Sequence, residues 1–421
     1  MELNIKGKDK RIIRDLAKKQ YEYSQLEVMK KRANEWLLHN TFKSKRPMIH
    51  LELGTFQHEI IPQLLKCEST EGRNIETSIY SNFLNYELFN DDMIVPDYYG
   101  IGWNKYFRLF DAQITTKHAS DTNGNSLGHQ FNYVINDLEE DFPKLKKTVF
   151  GVNKEETIER KNYFEELFGD ILPVKITGDA LYSVPTQDIV HLMGMENMFI
   201  SMYDCPDTFH AFINQITEDY LSYFKFLENE NLIMPTIGRE ELGQGSLCYT
   251  DELPGYDIYG TRKFTAKDIW GFMDSQETVG ISPAMFEEFI FPYYKKVAQQ
   301  YGMLSYGCCE PVDPIWDNCL SKLDNLKKVS VSPWCNEEFM AERLRGKKII
   351  YHRKPSPNYL GVGKNLDEVA FKEHIVKTLK IAKGCKLEIT QRDVYTLGGN
   401  ISKAKRYVEI IREAIDEYWQ G

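Results

Sequence analysis

From about residue 230 to the C-terminus, short apolar runs alternate with amphipathic stretches. This alternation restricts the chain to folds built on a parallel sheet. The runs Leu232–Ile237, Ile269–Met273, Met303–Tyr306, Lys328–Val331, Lys348–Tyr351 and Lys386–Ile389 read as strands. The stretches Pro283–Tyr301, Pro314–Leu323, Glu337–Leu344, Leu366–Lys383 and Ser402–Trp419 read as helices. In the fourth of these, Leu366, Val369, Val376 and Leu379 fall on one face. Repeated β-then-α units need crossover connections and therefore parallel pairing. No run leads into a glycine-rich phosphate fingerprint, which favours a (β/α)₈ (TIM) barrel over an open doubly wound sheet.

The chain has 421 residues, a length one barrel with insertions accommodates. Residues 8–38 keep helical spacing through Ile12, Leu16, Tyr23, Leu26, Met29 and Trp36. They predict an N-terminal helical extension over 1–45, packed on a single catalytic barrel domain over 46–421. Pro206–Glu228 reads as a long amphipathic helix, with Pro206 in its first turn and Asp204 as its cap. Leu172–Thr177 is a further apolar run, and Asp121–Ser126 a loop tip. Tyr98, Tyr99 and Trp103 read as core aromatics and His191 as a packed helix residue.

Fifty-two basic residues against 62 acidic ones leave a net charge of −10, which argues against a nucleic-acid partner. No run is long enough for a membrane span, and the basic start lacks the apolar core of a signal peptide. The eight cysteines show no secreted disulfide framework, so a reducing cytoplasm is expected.

In a barrel, residues just past each strand's C-terminal end share one mouth. Six consecutive predicted strand ends carry charged groups or thiols: Glu241 with Gln244; Asp274 with Glu277; Cys308-Cys309-Glu310; Trp334 with Cys335; His352-Arg353-Lys354; and Gln391-Arg392-Asp393. Thiolate and carboxylate are zinc ligands, and a catalytic zinc keeps one position open. Cys308, Cys309, Glu310 and Cys335 are the candidate ligands, although a buried cysteine is otherwise a small hydrophobe. Asp274 and Glu277 suit acid, base or ligand roles. Arg353 offers a fork of donors for an anion.

The stretch Trp270–Pro283, with Phe286-Glu287-Glu288-Phe289 and Pro292 after it, resembles the uroporphyrinogen decarboxylase superfamily, as does Pro185–Phe212. The resemblance covers roughly residues 170–418 and implies a (β/α)₈ barrel. The arginine-rich signature of the true decarboxylases is missing, so the chain is more similar to the zinc methyltransferases of that group. There a His-x-Cys ends a barrel strand; here Tyr306-Gly307-Cys308 stands in that place, so Cys308 matches and Tyr306 replaces the histidine. The resemblance implies an enzyme, a methyltransferase moving a methyl group from a small methoxylated or N-methylated substrate to a corrinoid (cobalamin) protein. Zinc is the implied metal and the corrinoid protein the implied partner, with self-association left open. Asp274, Glu277 and Tyr306 are the expected catalytic side chains. Glu241, Gln244, Trp334, Arg353 and Gln391 are expected to hold substrate. The alternatives are a metal-independent decarboxylase or lyase of a small carboxylic acid held by Arg353 or Arg392, and a non-catalytic binding protein.

Overall fold

The computed structural model describes residues 5, 7–120 and 126–419, so all but the last residue of the expected loop tip Asp121–Ser126 lies outside the described residues. The centre of the molecule is a seven-stranded parallel sheet. Its strands are β1 (Met48–Leu51), β2 (Leu181–Ser183), β3 (Trp270–Met273), β4 (Met303–Tyr306), β5 (Leu326–Val331), β6 (Ile350–Arg353) and β7 (Lys386–Gln391), in the spatial order β1-β7-β6-β5-β4-β3-β2. The fold is α/β. Among the described residues no ladder joins β1 to β2, so the sheet is not hydrogen-bonded into a closed ring. At the free edge of β1, the carboxylates of Asp92 and Asp91 accept the backbone N–H groups of Ile49 and Leu51 at 2.8 and 2.9 Å. Side chains there do what a neighbouring strand would do.

Five of the six predicted runs form strands of this sheet. Leu232–Ile237 does not. Pro235 has no N–H to give a ladder, and the segment instead passes beneath β3, where Thr236 Oγ1 accepts from Trp270 N at 2.9 Å. The strand beside β3 is Leu181–Ser183. Predicted helix Pro314–Leu323 is two short 3₁₀ turns. Predicted helix Pro283–Tyr301 contains a π-turn at Phe286–Ile290 just before Pro292, which cannot donate to the preceding turn. Cys205, not Asp204, occupies the N-cap position of helix Pro206–Asn229. That helix buries Phe209, Phe212, Ile213, Ile216, Tyr220, Phe224 and Leu227, a stripe at helical spacing. His191 lies in helix Pro185–Met193, its ring 4.2 Å from that of Phe131. Among the described residues no helix is long and apolar enough to cross a membrane.

Successive strand residues face opposite sides of the sheet. One side carries Tyr306, Tyr351, Arg353 and Gln391 toward the helices. Arg353 pairs with Glu337 of helix Glu337–Leu344 at 2.7 Å, and Gln391 bonds Tyr407 of helix Ser402–Tyr418. The other side carries His50, Tyr182, Phe272, Lys328, His352, Glu388 and Thr390, and a two-stranded hairpin, Glu241–Gly243 with Ser246–Leu247, lies against it. Gly243 sits over the stacked rings of Tyr182 and Phe272, whereas Gly245 sits over Thr390 and His50. The hairpin tip thus touches strands from both edges of the sheet.

The hairpin is held by polar bonds. His50 Nδ1 lies 2.6 Å from Gly245 O, and Asn40 Nδ2 donates to Leu247 O and Tyr249 O. Lys328 Nζ donates to Ser246 Oγ and, at 2.9 Å, to Glu388 Oε2. His39, from helix Glu27–Asn40, reaches Glu388 at 3.3 Å. All three charged or titratable groups are fully buried, so each depends on the others for its solvation. The N-terminal helices therefore complete the interior.

Candidate active site

Strand parity and one glycine build the site. Trp270 and Phe272 face the hairpin side, and Asp274 continues that alternation just past β3. At the end of β4, Gly307 takes φ +99, a conformation that costs a glycine nothing. A Cβ there would lie 2.9 Å from Ser330 Cβ. The turn breaks the alternation and sends Cys308 and Cys309 across the strand ends. Their sulfurs lie 3.5 Å apart. Cys309 Sγ also donates to Asp393 Oδ2 at 3.1 Å. Arg392 Nη1 lies 3.4 Å from Cys308 Sγ, and Lys354 Nζ donates to Cys308 O at 3.0 Å and to Gln244 Oε1 at 3.1 Å.

The electrostatics split the titratable groups. The Cys308 thiol is drawn down to about 7 by the hydrogen bond from Cys309 and, against its burial, by the positive charges of Lys354 and Arg392. Cys309 is pushed up by the same contact and keeps its proton. Asp274 is raised to about 9 by burial, then by the negative charges of Glu310, Cys308 and Glu277. Its Oδ1 is buried and has no hydrogen-bond partner in the protein. A carboxylic acid is thus held neutral at pH 7, with one buried oxygen left without a hydrogen bond.

Beside these groups lies a cavity of about 390 Å³, of the size small-molecule sites take. Its walls include His50, Glu52, Tyr182, Glu241, Gln244 and Arg392. Arg392 joins the cavity to Cys308, and Tyr182 is close enough to feel the charges of Asp274 and Cys308. A larger groove of about 730 Å³, between helices Glu368–Ile381 and Ser402–Tyr418, shares no residue with this site.

Not every expected site residue gathers here. Glu241 and Gln244 line the cavity. Tyr306 is buried on the helix side, bonded to Ser275 Oγ at 2.6 Å. Arg353 and Gln391 point to helices, as described. In each of these three cases the parity is off by one; beside Arg353 and Gln391, the neighbours Lys354 and Arg392 face the site instead. Glu277 accepts from Thr186 Oγ1 at 2.8 Å and acts on Asp274 through its charge. Trp334 is exposed beyond the end of β5. His50, Glu52 and Tyr182 are the additions, and Arg392, named only as a possible holder of a small acid, joins them. The first three come from β1, β2 and the residue after β1, segments that the sequence reading does not mark as strands.

The four expected zinc ligands do not form a set. Both Glu310 carboxylate oxygens are taken by backbone N–H groups, from Ser275 at 2.9 Å and from Cys308 at 2.7 Å, so Glu310 clasps the loops after β3 and β4 together. Cys335 Sγ accepts from Val312 N and lies 3.8 Å from the Glu310 carbonyl. Among the described residues no three His, Cys, Asp or Glu side chains converge to hold a metal ion.

No protein-family model matches the chain, and no curated protein does. Among solved structures the chain is similar to a methyltransferase from Methanosarcina mazei, at 10% sequence identity and a TM-score of 0.48, over 92% of this chain and 99% of that one. At that TM-score the likeness decides neither the fold nor the chemistry of this chain.

Proposed function

We propose that the protein is a methyltransferase in which Asp274 is the general acid. The observation that carries this is the neutral, buried Asp274 carboxyl with its unpartnered oxygen at the end of β3. The superfamily resemblance of Trp270–Pro283 includes this same strand end. An unactivated alkoxide or amide anion leaves poorly, so dealkylation of a methoxylated or N-methylated substrate needs a proton or Lewis acid at the heteroatom. A substrate in the 390 Å³ cavity would be held by the polar groups of Gln244 and Glu241, which line it. Asp274 gives its proton to the heteroatom, which keeps the bonding electron pair as the methyl carbon departs. Solvent then reprotonates Asp274. Burial and nearby negative charge make that return favourable at neutral pH.

The methyl group would pass to a corrinoid held by a partner protein, which would supply the nucleophile. Support for a docking partner comes from the strand-end loops, where Val279, Trp334, Val362 and Tyr395 all expose large apolar side chains. They follow β3, β5, β6 and β7, which run parallel, so they rim one end of the sheet. We read the sheet as a (β/α)₈ barrel with Asp91–Pro96 in the eighth place. Its support is the bond from Asp92 N to Ile49 O and the hairpin tip that touches both edges. The eight unpaired cysteines support a reducing, cytoplasmic setting. No step runs through zinc, since the side chains present do not fit it.

A decarboxylase of a small acid has less support. Arg353 is committed to Glu337, and Arg392 already stands among Glu52, Asp393 and Cys308. The test is methyl transfer from a panel of methoxylated aromatics and N-methylated amines to a Co(I) corrinoid, followed by absorbance. Asp274→Asn is expected to lower the rate at least a hundredfold. Transfer from no substrate, or an undiminished rate in the variant, overturns the proposal.

A further inference from the structure

Cys308 and Cys309 are neighbours in the chain with sulfurs 3.5 Å apart, and neither is in a disulfide. Among the described residues, no other two cysteine sulfurs share a hydrogen bond. We propose that this pair is a reversible oxidation site for hydroperoxides, closing to a vicinal disulfide.

Each step balances. Cys308 Sγ attacks one peroxide oxygen, and the O–O bond breaks. The departing oxygen leaves with the electron pair, takes a proton, and goes as water or an alcohol. Cys308 then carries a sulfenic acid. Cys309 Sγ attacks that sulfur, the S–O bond breaks, and water leaves as the S–S bond forms. The hydroperoxide gains two electrons, and the two thiols lose them.

The surroundings supply what both steps need. The Arg392 guanidinium, 3.4 Å from Cys308 Sγ, stands where the leaving oxygen develops negative charge. Asp393 Oδ2, 3.1 Å from Cys309 Sγ, is placed to accept the Cys309 proton as that sulfur attacks. Cys309 is partly exposed, so the pair is not sealed from solvent. The other cysteines lack this arrangement. Cys335, for example, is buried against Ser332 and Val312.

Adjacency also makes the bond reversible. Neighbouring Cα atoms are about 3.8 Å apart, shorter than the roughly 4.4–6.8 Å of an ordinary disulfide. A strained disulfide is readily reduced. Closure would bring the sulfurs from 3.5 Å to about 2.05 Å and pull Cys308 from Arg392. The oxidation stands independently of methyl transfer.

The full-length protein is treated with one to a few equivalents of hydrogen peroxide or cumene hydroperoxide, then denatured, alkylated and mapped by mass spectrometry. Two of the eight cysteines are expected to escape alkylation, leaving 8 − 2 = 6. The peptide holding Cys308 and Cys309 should lose the mass of two hydrogens, and dithiothreitol should restore all eight. In Cys309→Ser, Cys308 should instead trap dimedone or gain oxygen atoms irreversibly. If that variant does not fold, the wild-type peptide map decides alone. Oxygen adducts on wild-type Cys308 without the loss of two hydrogens, a disulfide to another cysteine, or eight intact thiols would each overturn the proposal.

Discussion

Replacing Asp274 by Asn should make the protein more stable and less active at once. An unfolded Asp titrates near 3.8, whereas folded Asp274 titrates at about 9. The folded state therefore binds the proton more tightly. Stability from this group is fully present below pH 3.8 and is lost progressively as pH rises toward 9. Each pH unit between those limits costs about 1.36 kcal/mol. At pH 7 the interval is 7 − 3.8 = 3.2 units, which sets an upper limit of about 4 kcal/mol. Asn keeps the shape and does not ionise, so it escapes this cost. Urea unfolding of both proteins across pH 5 to 9 is the assay. The variant's advantage should grow with pH, at a slope approaching 1.36 kcal/mol per unit, and level off near the folded pKa. A constant difference across that range, or a variant less stable at pH 8, would refute the reasoning. Transfer assays on the same preparations should show the opposite order, the trade expected of a group held in an unfavourable state for function.

Three further outcomes follow from named contacts. In Gly245→Ala, the new Cβ would lie 2.5 Å from Thr390 Cγ2 at φ +77, so a loss of about 1–3 kcal/mol is expected in urea melts. Lys328→Met leaves Glu388 buried without its cation and should cost about 3–5 kcal/mol. The double variant Lys328→Met with Glu388→Gln should regain most of that loss in the same melts. In Arg392→Ala, Cys308 loses one of the charges that favour its thiolate, so the midpoint of its alkylation by iodoacetamide should move from about 7 toward the ordinary thiol value of 9.0, read by peptide mapping against pH.

The sequence made the C-terminal half legible because each strand there is a short apolar run with a helix after it. Met303–Tyr306 and Glu337–Leu344 fell at the observed residues. The first half was opaque for two reasons. β1 leads into 3₁₀ turns in place of the helix that marks the later strands, and β2, Leu181–Ser183, is only three residues long and has no apolar run. The hairpin then reads as a loop, since Gly243, Gln244 and Gly245 all take positive φ. Choosing residues by position after a strand puts Asp274 and Cys308 in one cluster, and Gln244 reaches it from a hairpin turn although the run before it forms no strand. That choice misassigned Tyr306, Arg353 and Gln391, because position does not decide which face a side chain takes. Parity does, and Arg353 and Gln391 each sit one residue from a neighbour on the correct face. The zinc set failed for another reason. Glu310 has the right chemistry, but the backbone N–H groups of Ser275 and Cys308 claim it, and sequence spacing does not register such competition.

What distinguishes this site is an inversion of ordinary acidities. A free carboxyl gives up its proton several pH units before a free thiol does. Here Asp274 still holds its proton at a pH where Cys308 is losing its own. Burial alone would raise both groups, so the difference lies in their neighbours. Cys308 has a thiol donor and two cations, Lys354 and Arg392, on its side. Asp274 has Glu310 and Glu277 on its side, and a Cys308 thiolate adds to their push. Each group therefore reinforces the other, since a thiolate at Cys308 makes the proton on Asp274 harder to lose. Environments that push two pKa values apart mark an acid and its electron-rich counterpart. Under the proposed function that assignment makes Asp274 the proton donor and Cys308 an anion beside it. Glu310 is central to it, because the carboxyl that fastens the two loops is, after burial, the next contributor to the Asp274 shift, while burial raises Glu310 itself.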